Sequence, residues 1–167
     1  MKLIIKNKFG ITGRSSVTDE NGKDVFIVKG SIGGNLVNTY KKIVCGLDKK
    51  PIYIVKNAIS IGRYSANIYN AKKEKILSMK EKKLLGFDGY DIEGTKEKME
   101  IVKSSKPGAF WDFVVGGKVV ARRLNNDKMT LLDSFTIEVY DKDDAALITA
   151  MIIAADNLND RHKRNNK

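Results

Sequence analysis

The side chains most often used in catalysis are scarce in this chain. Its only histidine, His162, lies in a polar C-terminal tail, and its only cysteine, Cys45, lies in the strand-like run 43–46. Neither a Ser-His-Asp nor a Cys-His set can be built from these positions, and zinc needs a cluster of His and Cys ligands that the chain lacks. We interpret Cys45 as a small buried hydrophobe. We therefore predict a protein that is not an enzyme and has no metal ion or cofactor.

Clustered cations are the stronger chemical signal. Six lysines lie between residues 72 and 83, where only Glu74 and Glu81 are acidic, and two arginines end a later strand. On neighbouring hairpins these side chains could form one patch that holds phosphate groups. The candidate ligands of an anion are Lys72, Lys73, Lys75, Lys80, Lys82, Lys83, Arg122 and Arg123. The alternative is a solvated surface on which outward lysines discourage aggregation between sheets.

The overall charge points to the same kind of partner. The chain has 31 Lys and Arg against 20 Asp and Glu, which gives a net charge of +11. Such a balance attracts anionic lipid headgroups, nucleic acid or acidic proteins, and it also favours solubility without any specific partner. Aromatic residues do not alternate with the lysines as they do on a surface that stacks single-stranded bases. We therefore place anionic membrane lipid ahead of nucleic acid as a partner.

No segment predicts export or membrane insertion. The first eight residues contain only three consecutive apolar residues, whereas a secretory signal needs roughly 7–15. The apolar run 145–155 is shorter than the roughly 20 residues that cross a bilayer, and a single cysteine suits a reducing compartment. We expect a monomeric cytoplasmic protein that does not span the membrane and that is peripheral to it if it binds lipid.

A C-terminal helix is the element that must organise the fold. Within the run 145–155 only Thr149 is polar, so the segment is apolar on every side, which is typical of a helix enclosed all round. Three aspartates within 141–144 precede this run, where carboxylates favour the start of a helix. We predict a helix over about residues 145–159, followed by a polar basic tail at 161–167.

Short strands joined by tight turns fill the rest of the chain. Asn21-Gly22 predicts a type I′ hairpin turn because both positions accept a positive φ, and Gly116-Gly117 predicts another tight turn. Apolar and polar residues alternate in 135–140, as they do in a half-buried strand. Similar strand–turn–strand patterns recur without a fixed period, and together they predict roughly ten to twelve strands.

These hairpins leave sheet edges that must be hidden, and closing the sheet into a barrel removes the edges. A barrel of this strand number has an interior too wide for strand side chains alone to fill. The apolar helix would fill it. The predicted fold is therefore mainly β: a closed antiparallel barrel of about twelve strands around a buried hydrophobic C-terminal helix, in a single domain over residues 1–160.

Several of these segments together resemble the LURP-one-related family. The segments are the hairpin 19–30 (DENGKDVFIVKG), the later hairpins 68–80 and 119–123, the strand 135–139, and the apolar run that ends at Asp156. Their order and spacing follow the family pattern over about residues 1–160. The resemblance implies a Tubby C-terminal-like fold, to whose superfamily phospholipid scramblases are similar.

The resemblance implies less about function than about fold. Tubby proteins bind phosphoinositides, but their binding residues cannot be matched position by position to this chain, so none is carried over. We predict a binding or scaffold domain that contacts anionic phospholipid headgroups through a basic face. A nucleic-acid-associated basic protein and a phospholipid scramblase-like protein stay open as alternatives.

Overall fold

Twelve antiparallel strands close into a barrel in the computed structural model, and one helix follows them. The structure describes residues 1–6, 14–30, 41–58, 63–82, 89–124 and 134–165, with the side chains of residues 6, 14, 134, 135 and 159–165 left aside. The elements are β1 (Lys2–Lys6), β2 (Arg14–Asp19), β3 (Asp24–Gly30), β4 (Lys41–Cys45), β5 (Pro51–Ala58), β6 (Ser65–Asn70), β7 (Lys75–Glu81), β8 (Gly89–Glu93), β9 (Met99–Lys103), β10 (Ala109–Val115), β11 (Lys118–Leu124), β12 (Ser134–Val139) and α1 (Ala145–Asn165).

Each strand pairs with its neighbours in sequence, and β1 closes the barrel by pairing with β12. Leu3 lies opposite Ile137 in this closing pair, and the N-terminal ammonium group of Met1 donates to the carbonyl oxygen of Val139 at 2.7 Å. Closure pairs both edges of the sheet, which is how a β protein avoids exposed backbone N–H and C=O groups. The predicted closed antiparallel barrel is confirmed.

The connections differ between the two ends of the barrel. At one end, five turns of two to five residues each join β2 to β3, β4 to β5, β6 to β7, β8 to β9 and β10 to β11. At the other end, six connections of five to ten residues each join β1 to β2, β3 to β4, β5 to β6, β7 to β8, β9 to β10 and β11 to β12. We call the first the tight-turn end. The helix starts there, because it follows β12 after five residues.

Helix α1 fills the interior, as its uniformly apolar sequence predicts. Met151 and Ile152 on the helix are fully buried, as are the strand residues Trp111 and Phe113 in the same core. The lone polar residue of the run, Thr149, is also fully buried, and its hydroxyl donates to the carbonyl oxygen of Ala145 at 2.7 Å. This bond to the preceding helical turn satisfies the hydroxyl without a partner on the barrel.

Three polar contacts connect consecutive helix residues to three different strands. The Tyr90 hydroxyl donates to the carbonyl oxygen of Ala155 at 3.1 Å. The Arg123 guanidinium lies 3.2 Å from the Asp156 carboxylate, and the Asn157 amide donates to the Asn57 side-chain oxygen at 2.6 Å. Apolar packing alone is non-directional, so these contacts fix how deep the helix sits and how it is rotated. Tyr90, Arg123 and Asn57 belong to β8, β11 and β5, respectively.

The helix extends beyond the predicted range of 145–159. It runs from Ala145 to Asn165, about 31 Å at about 1.5 Å per residue. Leu158 is the last helix residue whose side chain the structure describes, and it is fully buried. The apolar pattern marks the buried part of the helix, whereas the backbone hydrogen bonds continue into the polar residues. The segment predicted as a polar tail is therefore helical as far as Asn165.

The turn at Asn21-Gly22 is not the predicted type I′ turn. Only Gly22 has a positive φ, of 79°, while Asn21 does not. The Gly22 N–H donates to the Asp19 carbonyl oxygen, and the Asp19 carboxylate accepts from the N–H groups of Asn21 and Lys23. This is a type I turn followed by one left-handed residue, which the Asp19 side chain stabilises. The predicted turn at Gly116-Gly117 is confirmed, with a positive φ at both glycines.

Candidate functional site

The predicted anion ligands lie in three separate places on the barrel. Lys72 and Lys73 are exposed in the turn between β6 and β7 at the tight-turn end, and Lys75 is the exposed first residue of β7. Lys80 and Lys82 lie near the opposite end of β7, about 20 Å from the turn at about 3.3 Å per residue. The two arginines lie on β11, four strands further around the barrel.

Lys80 and Lys82 bind acids on neighbouring strands. The Lys80 ammonium group lies 3.1 Å from the Glu93 carboxylate. Lys82 donates a short hydrogen bond to Glu100 and lies 3.9 Å from Asp91. The hydrogen bond from Lys82 is the main reason that the pKa of Glu100 is lowered. The charge of Lys82 is therefore already neutralised within the barrel wall.

Arg122 and Arg123 are also engaged in internal contacts. Arg122 bonds the Asp112 carboxylate through two nitrogens, at 2.5 and 3.0 Å. Burial alone would raise the pKa of Asp112, but hydrogen bonds from Arg122 and Ser104 and the charge of Arg122 lower it overall. Arg123 pairs with Asp156, and its guanidinium lies 4.7 Å from the centre of the Trp111 ring.

The structure therefore does not bring the predicted cations together into one patch. Four of them contact acids within the fold, and Lys83 lies outside the described residues. The three lysines around the β6–β7 turn stay exposed. Anion binding by the whole predicted set stays a prediction. Within that set, the structure separates the three exposed lysines from the four cations that form ion pairs.

A different group of cations lies on consecutive strands of the barrel and in the segments that join them. Between residues 25 and 73 the chain has nine basic residues and a single acid, Asp48, whereas 22 basic residues face 19 acids elsewhere. These residues cover strands β3–β6 apart from the first residue of β3, Asp24, which is a further acid at the edge of the range. The four strands are consecutive neighbours in the barrel. We call this part of the molecule the basic wall. Its cations are Lys29, Lys41, Lys42, Lys49, Lys50, Lys56, Arg63, Lys72 and Lys73.

Register places two of these lysines directly opposite each other. Lys41 on β4 pairs with Lys56 on β5, and both side chains are exposed. Like charges directly across a sheet are destabilising, so this arrangement is not explained by stability. Lys56 also lies 5.0 Å from the ring centre of Tyr69 on β6. Burial lowers the pKa of Lys42, which is half-buried at the start of β4.

The single acid of the wall is already paired. The Asp48 carboxylate lies 3.5 Å from the Lys50 ammonium group, and it also accepts a hydrogen bond from the Lys50 N–H at 3.0 Å. Both side chains are exposed, so the pair contributes little to stability. Nine basic residues and one acid give residues 25–73 a net charge of +8. The basic wall can therefore attract an external anionic surface.

Cys45 and Trp111 both have structural roles in the core. Cys45 is fully buried, which confirms its interpretation as a small hydrophobe, and burial raises the pKa of its thiol. Trp111 is fully buried and packs edge-on against Tyr90, with ring centres 6.1 Å apart. A buried thiol with a raised pKa is a poor nucleophile. Neither residue is placed to contact a ligand.

Two properties of the described residues bear on the kind of site. Within them, no group of three or more His, Cys, Asp or Glu side chains is arranged to hold a metal ion. In the same part of the chain, no helix combines the length and the apolar character needed to cross a bilayer.

The barrel with its central helix defines the class of protein as Tubby-like in fold. It is similar in fold to an Arabidopsis thaliana protein solved by X-ray crystallography, with a TM-score of 0.65 and 18% sequence identity, covering 95% of this chain and 90% of that one. No curated protein sequence gives a significant match. The model of the LURP-one-related family matches residues 1–156, so the chain belongs to that family. Family and fold together support a binding or scaffold domain.

Proposed function

We propose that this domain binds anionic phospholipid headgroups at a cytoplasmic membrane surface, as a monomeric and non-catalytic module. The basic wall carries the proposal, because its nine cations accompany a single acid. Each lysine near an acidic bilayer contributes about 1 kcal/mol of attraction, which acts within about one Debye length. A wall with several exposed lysines on consecutive strands therefore suits a flat anionic surface.

The location of the exposed cations favours a surface over a small ligand. Lys41 and Lys56 lie on the outside of the barrel, and Lys49, Lys50 and Lys72 lie in exposed turns. The interior beside them is occupied by α1, which packs against β4, β5 and β6. A concave pocket with converging polar groups is the usual site for a small molecule. The outward arrangement supports contact with many headgroups at once.

Co-sedimentation with vesicles tests this proposal. We expect the protein to sediment with phosphatidylcholine vesicles that contain phosphatidylserine and to stay in solution with phosphatidylcholine alone. The bound fraction should fall as salt rises, because the Debye length shrinks from about 10 Å at 0.1 M to about 3 Å at 1 M. Equal binding to both kinds of vesicle, or to neither, would overturn the proposal.

Nucleic acid is the competing polyanion, and the same experiment can include it. Salt-dependent binding to duplex DNA or single-stranded RNA would follow from counterion release. We expect acidic vesicles to retain the protein when an excess of either nucleic acid is added at the same ionic strength. Displacement from the vesicles by nucleic acid would instead favour a nucleic-acid-associated protein.

A further inference from the structure

Two turns at the tight-turn end of the basic wall lie side by side. They are the β4–β5 turn, residues 46–50, and the β6–β7 turn, residues 70–74. Strands β5 and β6 pair with Tyr53 opposite Asn70, and extending this register brings Lys50 level with Lys73. Paired strands are about 4.8 Å apart, so the two turns are neighbours. We call them the paired turns.

The first of the paired turns combines an exposed apolar side chain with cations. Leu47 is 53% exposed, which is unusual for a large apolar residue in the described part of the chain. Lys49 and Lys50 follow it, and the Lys29 ammonium group donates to the Lys49 carbonyl oxygen at 3.2 Å. Lys29, Lys49 and Lys50 thus accompany Leu47. The acids beside it are Asp48, which Lys50 contacts, and Asp24, which the β3–β4 register brings level with Asp48.

The second of the paired turns adds three cations and one acid whose carboxylate is hydrogen-bonded. Lys72 and Lys73 are exposed, and Lys75 follows at the start of β7. Glu74 is held by Asn70, whose side-chain amide donates to the Glu74 carboxylate at 2.6 Å. This bond orients the Glu74 carboxylate but leaves its negative charge, so the three lysines and one acid of this turn give a net charge of +2. Around the paired turns six cations outnumber three acids, Asp24, Asp48 and Glu74.

Another exposed apolar residue at the same end has the opposite surroundings. Tyr140 follows β12 and is also 53% exposed. It precedes Asp141, Asp143 and Asp144, whose side chains are exposed. An anionic bilayer would repel that position and attract the paired turns. Local charge thus distinguishes two equally exposed apolar side chains on one end of the molecule.

We propose that the paired turns are the part of the domain that touches the bilayer, with Leu47 inserted between the headgroups and the surrounding lysines bound to phosphates. This inference rests on the proposed lipid binding and gives it an orientation. An apolar side chain flanked by lysines enters the interface while the long lysine stems keep their ammonium groups at headgroup level. The barrel then tilts onto the side of its tight-turn end that carries the paired turns, while β12 and Tyr140, on the opposite side of the ring, stay away from the membrane.

An environment-sensitive fluorophore at position 47 tests the orientation. We would label the Leu47→Cys variant with a nitrobenzoxadiazole maleimide, because the native Cys45 is buried, has a raised thiol pKa and does not compete for the label. A Tyr140→Cys variant labelled in the same way is the matched control, since Tyr140 is equally exposed. Both proteins are added to phosphatidylcholine vesicles with and without phosphatidylserine, and sedimentation is measured in parallel.

We expect the label at 47 to shift to shorter wavelength and brighten on acidic vesicles, and the label at 140 to remain as in water. A Leu47→Asp variant should partition onto the same vesicles about tenfold less, since it replaces an inserted apolar group with a repelled charge. If the protein sediments while the label at 47 stays unchanged, or if both labels shift equally, the orientation is wrong and lipid binding stands. If nothing sediments, the proposed function itself fails and the orientation falls with it.

Discussion

Two lysines in the paired turns hold a backbone conformation that favours glycine. Lys49 has a φ of 66° and Lys73 a φ of 67°. In each turn the lysine N–H donates to the carbonyl oxygen three residues earlier. The Gly22 N–H makes the same bond in the β2–β3 turn, so both lysines occupy the position that glycine has there. A left-handed conformation costs an L-residue roughly 1–2 kcal/mol. The surrounding hydrogen bonds hold it in place, including the one from the Lys73 N–H to the Asn70 carbonyl oxygen at 3.0 Å.

The substitution Lys73→Gly should therefore stabilise the fold. Relief of the left-handed strain outweighs the added chain entropy of glycine, which is roughly 0.5–1 kcal/mol. We expect the free energy of unfolding to rise by up to about 1 kcal/mol in urea denaturation monitored by Trp111 fluorescence. The control is Lys72→Gly in the same turn, where φ is not positive and the free energy of unfolding should fall. Equal losses in both variants would contradict this account.

The engaged cations of the predicted site show what residue types alone leave open. Lys80 contacts Glu93, Lys82 contacts Glu100, and Arg122 contacts Asp112, with partners 10 to 18 residues away. Each contact depends on strand register, and a shift of one residue would turn the side chains to the other face. The sequence predicted that Lys80 and Arg122 lie on strands, but it contained no indication of which acids lie opposite.

At the scale of elements, the barrel requires that α1 be enclosed in every direction. Successive residues of a helix point about 100° apart, so the four consecutive residues Ala150, Met151, Ile152 and Ile153 together face around the whole axis. All four are buried, and the most exposed of them, Ile153, is 7% accessible. A helix lying on one face of an open sheet would leave one of these directions in solvent.

Alanine substitutions at Ile148, Met151, Ile152 and Ile153, which are all buried, test the enclosure. Each should lower the free energy of unfolding by about 2–5 kcal/mol, because each removes buried methyl or thioether groups and leaves a cavity. Chemical denaturation of the four single variants provides the comparison, with the half-buried Leu147→Ala as the reference for partial exposure. A loss below about 1 kcal/mol at any one position would mean that this side of the helix faces solvent.

The elements were largely predictable because their patterns are local. The apolar run 145–155 indicated an enclosed helix, alternation in 135–140 indicated a strand that was found at Ser134–Val139, and Gly116-Gly117 indicated its turn. The turn at Asn21-Gly22 was wrong in type because the Asp19 carboxylate selects a different hydrogen-bond pattern. The helix end was placed too early because the helical backbone continues to Asn165, whereas the apolar pattern of the sequence ends at Leu158.

At the scale of the whole molecule, the informative feature is where acids are missing. Residues 25–73 contain one acid, and this gap is visible in the sequence itself. Its meaning depends on topology, because only the barrel order makes β3–β6 one continuous surface. A local search for dense lysines selects 72–83 instead, where Glu74 and Glu81 interrupt the cations. The sequence therefore contained the signal for the basic wall, and the strand order was needed to interpret it.

Net charge and charge placement make different predictions for membrane binding, and matched variants separate them. In the first variant, four exposed lysines of the basic wall are changed to glutamine: Lys41, Lys49, Lys56 and Lys72. In the second, four exposed lysines outside the wall are changed in the same way: Lys96, Lys103, Lys118 and Lys142. Both variants lose the same net charge, and all eight positions are on the surface, so folding is expected to be preserved.

The measurement is the partition of these two variants and the unmodified protein onto phosphatidylserine-containing vesicles at one ionic strength. At about 1 kcal/mol for each of the four lysines near the surface, the wall variant should bind about three orders of magnitude more weakly than the unmodified protein. The second variant should bind within a few-fold of it. Equal weakening of both variants, or loss of binding only in the second, would contradict the assignment of the basic wall as the membrane-binding surface.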